Sequence, residues 1–229
     1  MNIDDFSRTS AKIPVKRNYF FVCEGENTEV RYLTSLSDIS RYIGLKDNIV
    51  IHVYEKKGKE AGQSSPQGIL RIAMKYKADL KERNAYAEET DKMVIIFDLD
   101  RLISKKQRVL YNDILNTCSE ENIYPAVTNP AFELFLMLHF RNSVENVIIP
   151  DNAAILANKI VRPGKRRYID KLLSDKYGIN AKEKKTFYNE VENVSTAISN
   201  EKHDIINNFP ADGFNFLTSN IGCLIAEMF

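Results

Sequence analysis

Lys92–Asp100 reads K-M-V-I-I-F-D-L-D. The five consecutive apolar residues Met93 to Phe97 are too few to cross a membrane and too continuous for a strand with one wet face, which predicts a central parallel strand covered on both sides. Asp98 and Asp100 leave it at the carboxyl end, where ligands of open parallel α/β sheets bind. Like charges that close need compensation, and Mg²⁺ (or Mn²⁺), which takes carboxylate oxygens together with water and phosphate oxygens, would supply it. On this stretch alone, the simpler reading is a solvated turn, where Asp is common. A second acidic strand end changes the balance.

That second end lies upstream. Asn18–Cys23 (N-Y-F-F-V-C) is an apolar, aromatic strand running into Glu24-Gly25. From Thr28, the three- and four-residue spacing of Val30, Leu33, Leu36, Ile39 and Ile43 predicts a helix that stops at Gly44. Asn48–Tyr54 is a β-branched strand. A basic, flexible loop with Lys56, Lys57 and Lys59 follows, then a helix over Gln67–Arg83. Downstream of Asp100 come a helix over Lys105–Glu120 and a strand over Ile123–Thr128. The order β-α-β-α-β-α-β predicts right-handed crossovers and a parallel four-stranded sheet. Glu24 meets Asp98 and Asp100 only if the first and third strands are neighbours, as in the flavodoxin-like order 2-1-3-4, whose topological switch point falls between them.

Asn129-Pro130 then predicts the start of a helix, with Asn as cap and Pro in the first turn. That helix, Ala131–Phe140, is almost wholly apolar and so buried all round; Glu133 is its exception. Beyond a soft boundary near Val144 the pattern is helical: Ala153–Ile160, Ile169–Tyr177, a long segment from Ala181 to Phe209 and a terminal helix over Asn220–Phe229. The expected organisation is a loose arm over residues 1–16, an α/β domain over 17–143 and a helical C-terminal region over 144–229 packed on it.

Composition sets bounds on function. Lys plus Arg (32) nearly balance Asp plus Glu (31) among 229 residues, so no global basic field announces nucleic acid, and a polyanionic partner would have to use a local patch. The three scattered cysteines, Cys23, Cys118 and Cys223, lack the spacing of a disulfide framework or zinc site and fit a reducing cytoplasm. No run approaches a transmembrane helix, and the N-terminus lacks the apolar core of a signal peptide.

Glu24, Asp98 and Asp100 converging on one crevice would suit one or two Mg²⁺ or Mn²⁺ ions acting on a phosphodiester, with Glu24 placed to move a proton. Gly25 clears space for a phosphate, and the amides opening the next helix favour an anion. Glu26 and Glu29 have an ordinary explanation, since acids in a first helical turn complement the macrodipole. The same holds for Glu133, although a buried carboxylate needs a donor or cation. His139 lies about 600° of rotation beyond Glu133 on an ideal helix, off its face, and reads as a core histidine. Lys165, Arg166 and Arg167, the densest positive cluster, read as a solvated face or, with Lys56, Lys57 and Lys59, as a grip on a nucleic-acid backbone.

Three blocks, F-V-C-E-G-E-N-T-E-V-R-Y-L (Phe21–Leu33), I-I-F-D-L-D (Ile95–Asp100) and T-N-P-A-F-E-L-F-L-M-L-H-F (Thr128–Phe140), resemble the RloB-like family, a bacterial group associated with restriction and phage-defence loci. The resemblance covers most of the chain and implies a Toprim-like (Rossmann-like) α/β fold. It implies Glu24 as general acid/base and Asp98 and Asp100 as holders of Mg²⁺. It also marks Glu29, Asn129, Glu133 and His139 as motif positions, of which Glu29 and Glu133 join Glu24 in the expected catalytic set. Phe135 stands where many relatives carry Trp, a change of bulk rather than chemistry. The expected function is a metal-dependent nuclease acting on DNA or RNA, alone or with an ATPase or other protein of its locus. The alternatives are a non-catalytic Toprim-fold adaptor and a small-nucleotide phosphodiesterase or sensor.

Overall fold

The computed structural model describes residues 14–99, 105–161 and 166–229. In chain order the elements are β1 (Arg17–Cys23), α1 (Thr28–Asp38), β2 (Ile49–Val53), α2 (Pro66–Glu82), β3 (Lys92–Asp98), α3 (Lys105–Glu120), β4 (Ile123–Asn129) and α4 (Glu133–Met137). A π-helical turn (Val144–Ile148) leads into α5 (Ile149–Ala157), the paired strands β5 (Ile160–Val161) and β6 (Arg166–Arg167), and α6 (Tyr168–Tyr177). Then come α7 (Tyr188–Val191), α8 (Val194–Glu201), β7 (Ile206–Asn207), β8 (Leu217–Ser219) and α9 (Ile221–Ala226).

The main sheet has the order β2-β1-β3-β4-β8-β7. β1, β2, β3 and β4 pair in parallel, with β1 between β2 and β3. The chain winds outward from β1 to β2, then crosses back to β3 on the other side. This reversal puts α1 on one face and α2 and α3 on the other. Side-chain alternation follows it: Tyr19, Phe21, Val94, Ile96 and Ala126 join the layer with α1 and the C-terminal helices, while Phe20, Val22, Met93, Ile95, Phe97 and Val127 join the layer with α2 and α3. Covered on both faces, β3 has no wet side to alternate with, which is why its sequence is continuously apolar.

Four expectations are corrected. Among the described residues the sheet has six strands rather than four, because the C-terminal region is not wholly helical: β8 adds antiparallel to β4 and β7 adds parallel to β8. The edge of β4 is prepared by a side chain. Asn220 Oδ1 accepts the Val127 N–H at 2.7 Å and its Nδ2 donates to the Pro125 carbonyl at 2.9 Å, as a paired strand would. The expected Ala181–Phe209 helix is two short helices and β7. Phe187, Val191 and Val194 keep their inward spacing across the breaks because each is buried against the α1 side of the sheet, and the Phe187 N–H donates to Ser35 Oγ at 2.9 Å.

The Ala131–Phe140 helix shrinks to α4, and the Asn129-Pro130 peptide is cis rather than the start of a first turn. Beyond α4 the His139 and Phe140 amides bond three residues back, the tighter 3₁₀ pattern. Uniform burial left no period to reveal this. Gly44 is left-handed (φ 86) as expected, but α1 ends at Asp38 and turns fill the interval.

Candidate active site

Glu24 follows β1 and Asp98 ends β3, side by side, and the Asp98 N–H donates to Glu24 Oε2 at 3.1 Å. The β1–α1 loop is clamped to the segment after β2: Lys56 Nζ donates to the carbonyls of Glu24 (2.7 Å) and Gln63 (2.8 Å), and the Gly62 N–H donates to Glu26 Oε1 at 2.8 Å. Gly25 leaves room for Glu29 to fold back over the loop; a Cβ there would stand 2.1 Å from Glu29 Oε2.

A cleft of about 430 Å³ opens at this edge and brings together Glu24, Glu29, Asp98 and Glu133. The α5–α6 segment and the chain after it close the other side with Asn158, Arg167, Asp170 and Lys182. Lys182 is carried there by α1, whose Arg31 Nη1 donates to the Lys182 and Lys184 carbonyls at 3.3 and 3.0 Å.

The electrostatics are those of crowded acids. Burial, then the charges of Glu29, Glu24 and Glu133, push the Asp98 carboxyl well above the usual range, against a Thr128 hydroxyl that donates to Oδ1 at 2.5 Å. Glu133 rises from the ordinary 4.5 to about 8 through burial first, then the charges of Asp170 and Glu29, with an Asp170 oxygen in hydrogen-bonding reach. Asp170 in turn takes the Lys182 ammonium at 2.7 Å. Burial and the neighbouring acids thus favour the protonated form of Glu133.

A stability effect follows. The unfolded chain releases this proton near pH 4.5, while the folded protein holds it to about pH 8, so folding stability falls as pH rises through that window. Glu133→Gln, which still offers N–H to Asp170, removes this term. Its thermal midpoint in chelator should exceed that of the wild type near pH 8 and match it near pH 4. Parallel pH profiles of the two proteins would exclude Glu133 as the titrating group.

The other expected residues scatter. Asp100 and Lys165 lie outside the described residues. Arg167 lines the cleft and Arg166 precedes it in β6. The Lys56 ammonium is engaged by backbone carbonyls. Lys57 is exposed and pairs with Glu55 at 3.0 Å, and Lys59 is exposed beside Arg71 and Lys75 on a separate shallow surface. His139 is a core residue: its ring nitrogens bond Tyr32 Oη at 2.8 Å and the Phe135 carbonyl at 3.0 Å, and burial lowers its pKa to about 4. Asn129 is structural too, its amide tying the Gly213 and Phe216 carbonyls to the end of β4. Burial pushes the Cys23 thiol up, which suits packing rather than chemistry. Asp170, Asn158 and Lys182 escaped the sequence reading, since an Asp in a first helical turn and an Asn ending a helix are common.

All-oxygen donors, buried and mutually repelling, fit a hard divalent cation rather than a soft one. Among the described residues no group of three or more His, Cys, Asp or Glu side chains is arranged to hold a metal ion, and Asp100, the third carboxylate of the expected set, is not among them. Likewise, among the described residues no helix is long and apolar enough to cross a membrane.

The fold and this cleft define an α/β protein with an acidic site at the carboxyl edge of its parallel strands, at the topological switch point between β1 and β3. A family model described as RloB-like protein matches residues 19–228, and the chain belongs to that family. Comparisons with curated proteins and with solved structures give no match.

Proposed function

We propose that the protein is a Mg²⁺- or Mn²⁺-dependent phosphodiester hydrolase of the Toprim type, a nuclease acting on DNA or RNA in a bacterial anti-phage or restriction-linked system. The observation that carries this reading is the hydrogen bond from the Asp98 amide to Glu24 Oε2 at 3.1 Å, which joins the two acidic strand ends into one site. Asp98 and Asp100 would hold the metal, with Glu24 close beside it and not consumed by it; the metal when bound stabilises charge on the attacking and leaving oxygens. Glu24 moves a proton to or from the reacting oxygen. The Gly25–Thr28 backbone at the start of α1 receives a phosphate, with the positive end of the helix dipole behind it, and Arg167 and Lys182 orient it from the C-terminal side.

Purified protein incubated with labelled single- and double-stranded DNA and RNA should cleave one of them with Mn²⁺ and be silent in chelator. Asp98→Asn should lose both Mn²⁺ binding, read by calorimetry, and cleavage. Unchanged Mn²⁺ affinity in this variant would remove Asp98 from the site.

A second reading has its own support. The cleft is bounded by the C-terminal region, and Lys57 and Lys59 stand outside its lining, which suits a small nucleotide better than a long duplex. Release of mononucleotide from cyclic or linear dinucleotides, with polymers untouched, would select it.

A further inference from the structure

We propose that Asn158 is a substrate-contact residue of this cleft, its Nδ2 donating to a phosphate oxygen of the phosphate ester bound there; this rests on the phosphodiester reading above. Asn158 ends α5 in the left-handed conformation (φ 39) and is only 3% exposed. Its own N–H is bonded to the Ala154 and Ile155 carbonyls, each at 3.1 Å. Its Oδ1 accepts the Ile169 N–H at 3.2 Å, in the first turn of α6. This bond fixes the amide's orientation, because turning it over would set two donors against each other. Nδ2 is left buried, without a hydrogen-bond partner among the described residues, on a residue that lines the cleft.

The choice of Asn over Asp is informative. Asp tolerates the same left-handed backbone and would cap the Ile169 amide equally well. At a helix N-terminus its charge is also favoured. Asp would add a further charge to a cleft already lined by acids and would lack the donor, which is the group left without a partner among the described residues. A buried unpaired N–H forfeits the hydrogen bonds it made to water, a cost removed when an oxygen acceptor enters. Acceptors already line the cleft in Glu133 and Asp170, yet Nδ2 bonds neither. A phosphate ester, rich in acceptor oxygens and drawn also to Arg167 and Lys182, matches this side of the site.

The test titrates thymidine 3′,5′-bisphosphate into wild-type protein, Asn158→Asp and Asn158→Ala, with Mn²⁺ present, by calorimetry, alongside thermal midpoints without ligand. Asn158→Asp retains the cap on Ile169 but buries a carboxylate in a cleft that Glu133 and Asp170 already line, and Asn158→Ala loses the cap, so both should melt earlier; the titrations are run well below both midpoints. Both should bind the bisphosphate roughly tenfold or more weakly, the loss expected for one hydrogen bond to a charged group. Weakening in Asn158→Asp alone would be a charge effect and would overturn the proposal. So would wild-type affinity in Asn158→Ala, since a water would then be satisfying Nδ2; tight wild-type binding in that case would leave the phosphodiester reading standing. A wild-type protein that takes up no bisphosphate with Mn²⁺ would bring down both.

Discussion

On the proposed reading, Glu24→Gln should lower metal-dependent turnover on the order of a thousandfold, the scale of a lost general acid/base, while Mn²⁺ and substrate binding should change little. The geometry makes this substitution clean. Glu24 is buried at the end of β1, and its side chain accepts the Asp98 amide, a bond that a Gln carbonyl oxygen also accepts. Lys56 holds the Glu24 main-chain carbonyl rather than its side chain, so the loop stays clamped. What Gln cannot do is exchange a proton. Single-turnover rates with wild type and variant, each saturated with Mn²⁺, isolate that step. Activity that survives unchanged would come from another site or a contaminant. Binding without cleavage under every condition, including with proteins of the same locus, would turn the reading to a Toprim-fold adaptor.

The second large effect concerns stability and lies away from the cleft. Glu201, at the end of α8, is 0% exposed. Its carboxylate accepts the Ser219 hydroxyl at 2.5 Å, the Gly222 N–H at 2.9 Å and the Cys223 N–H at 2.6 Å. Burial holds its pKa above the usual carboxylate range, and these donors offset that only in part. One side chain thus joins α8 to β8 and α9. Glu201→Ala strands three buried donors and opens a void beside Gly222, for a loss of about 3–5 kcal/mol. Glu201→Gln keeps one acceptor oxygen but sets an NH₂ against a backbone donor, and should lose less than Ala. Urea denaturation measures both. A loss under about 1 kcal/mol for the Ala variant would mean that solvent reaches these groups and that the tie is dispensable.

Legibility in the sequence tracked the length of each element. β1, β3 and β4 are seven residues each, long enough for an apolar run to be read, and the helices between them carry clear three- and four-residue spacing. Their order implies one sheet, and the acids at the ends of two neighbouring strands mark its carboxyl edge as the site. Glu24 and Asp98 could therefore be paired before any coordinates, because covalent order and a single topology sufficed to bring them together. Glu29 and Glu133 were legible only as acids in first helical turns, where the helix dipole already accounts for them.

By itself, then, the sequence determined the parallel β-α succession, the two-sided burial of β3 and the acidic strand ends, since each rests on local periodicity or on chain order. Only the tertiary structure decided the rest. β7 and β8, of two and three residues, are too short to have a period; they exist because β4 offers an edge and Asn220 extends it. Lys56 looked like a free cation and is a clamp, because carbonyls from two loops converge on it. The proton on Glu133 and the donor on Asn158 depend on Asp170 and Ile169, residues far along the chain that reach the cleft only when α6 packs across it. Burial and long-range placement set the charge and hydrogen-bonding state of these groups, and neither is a property of residue type or spacing.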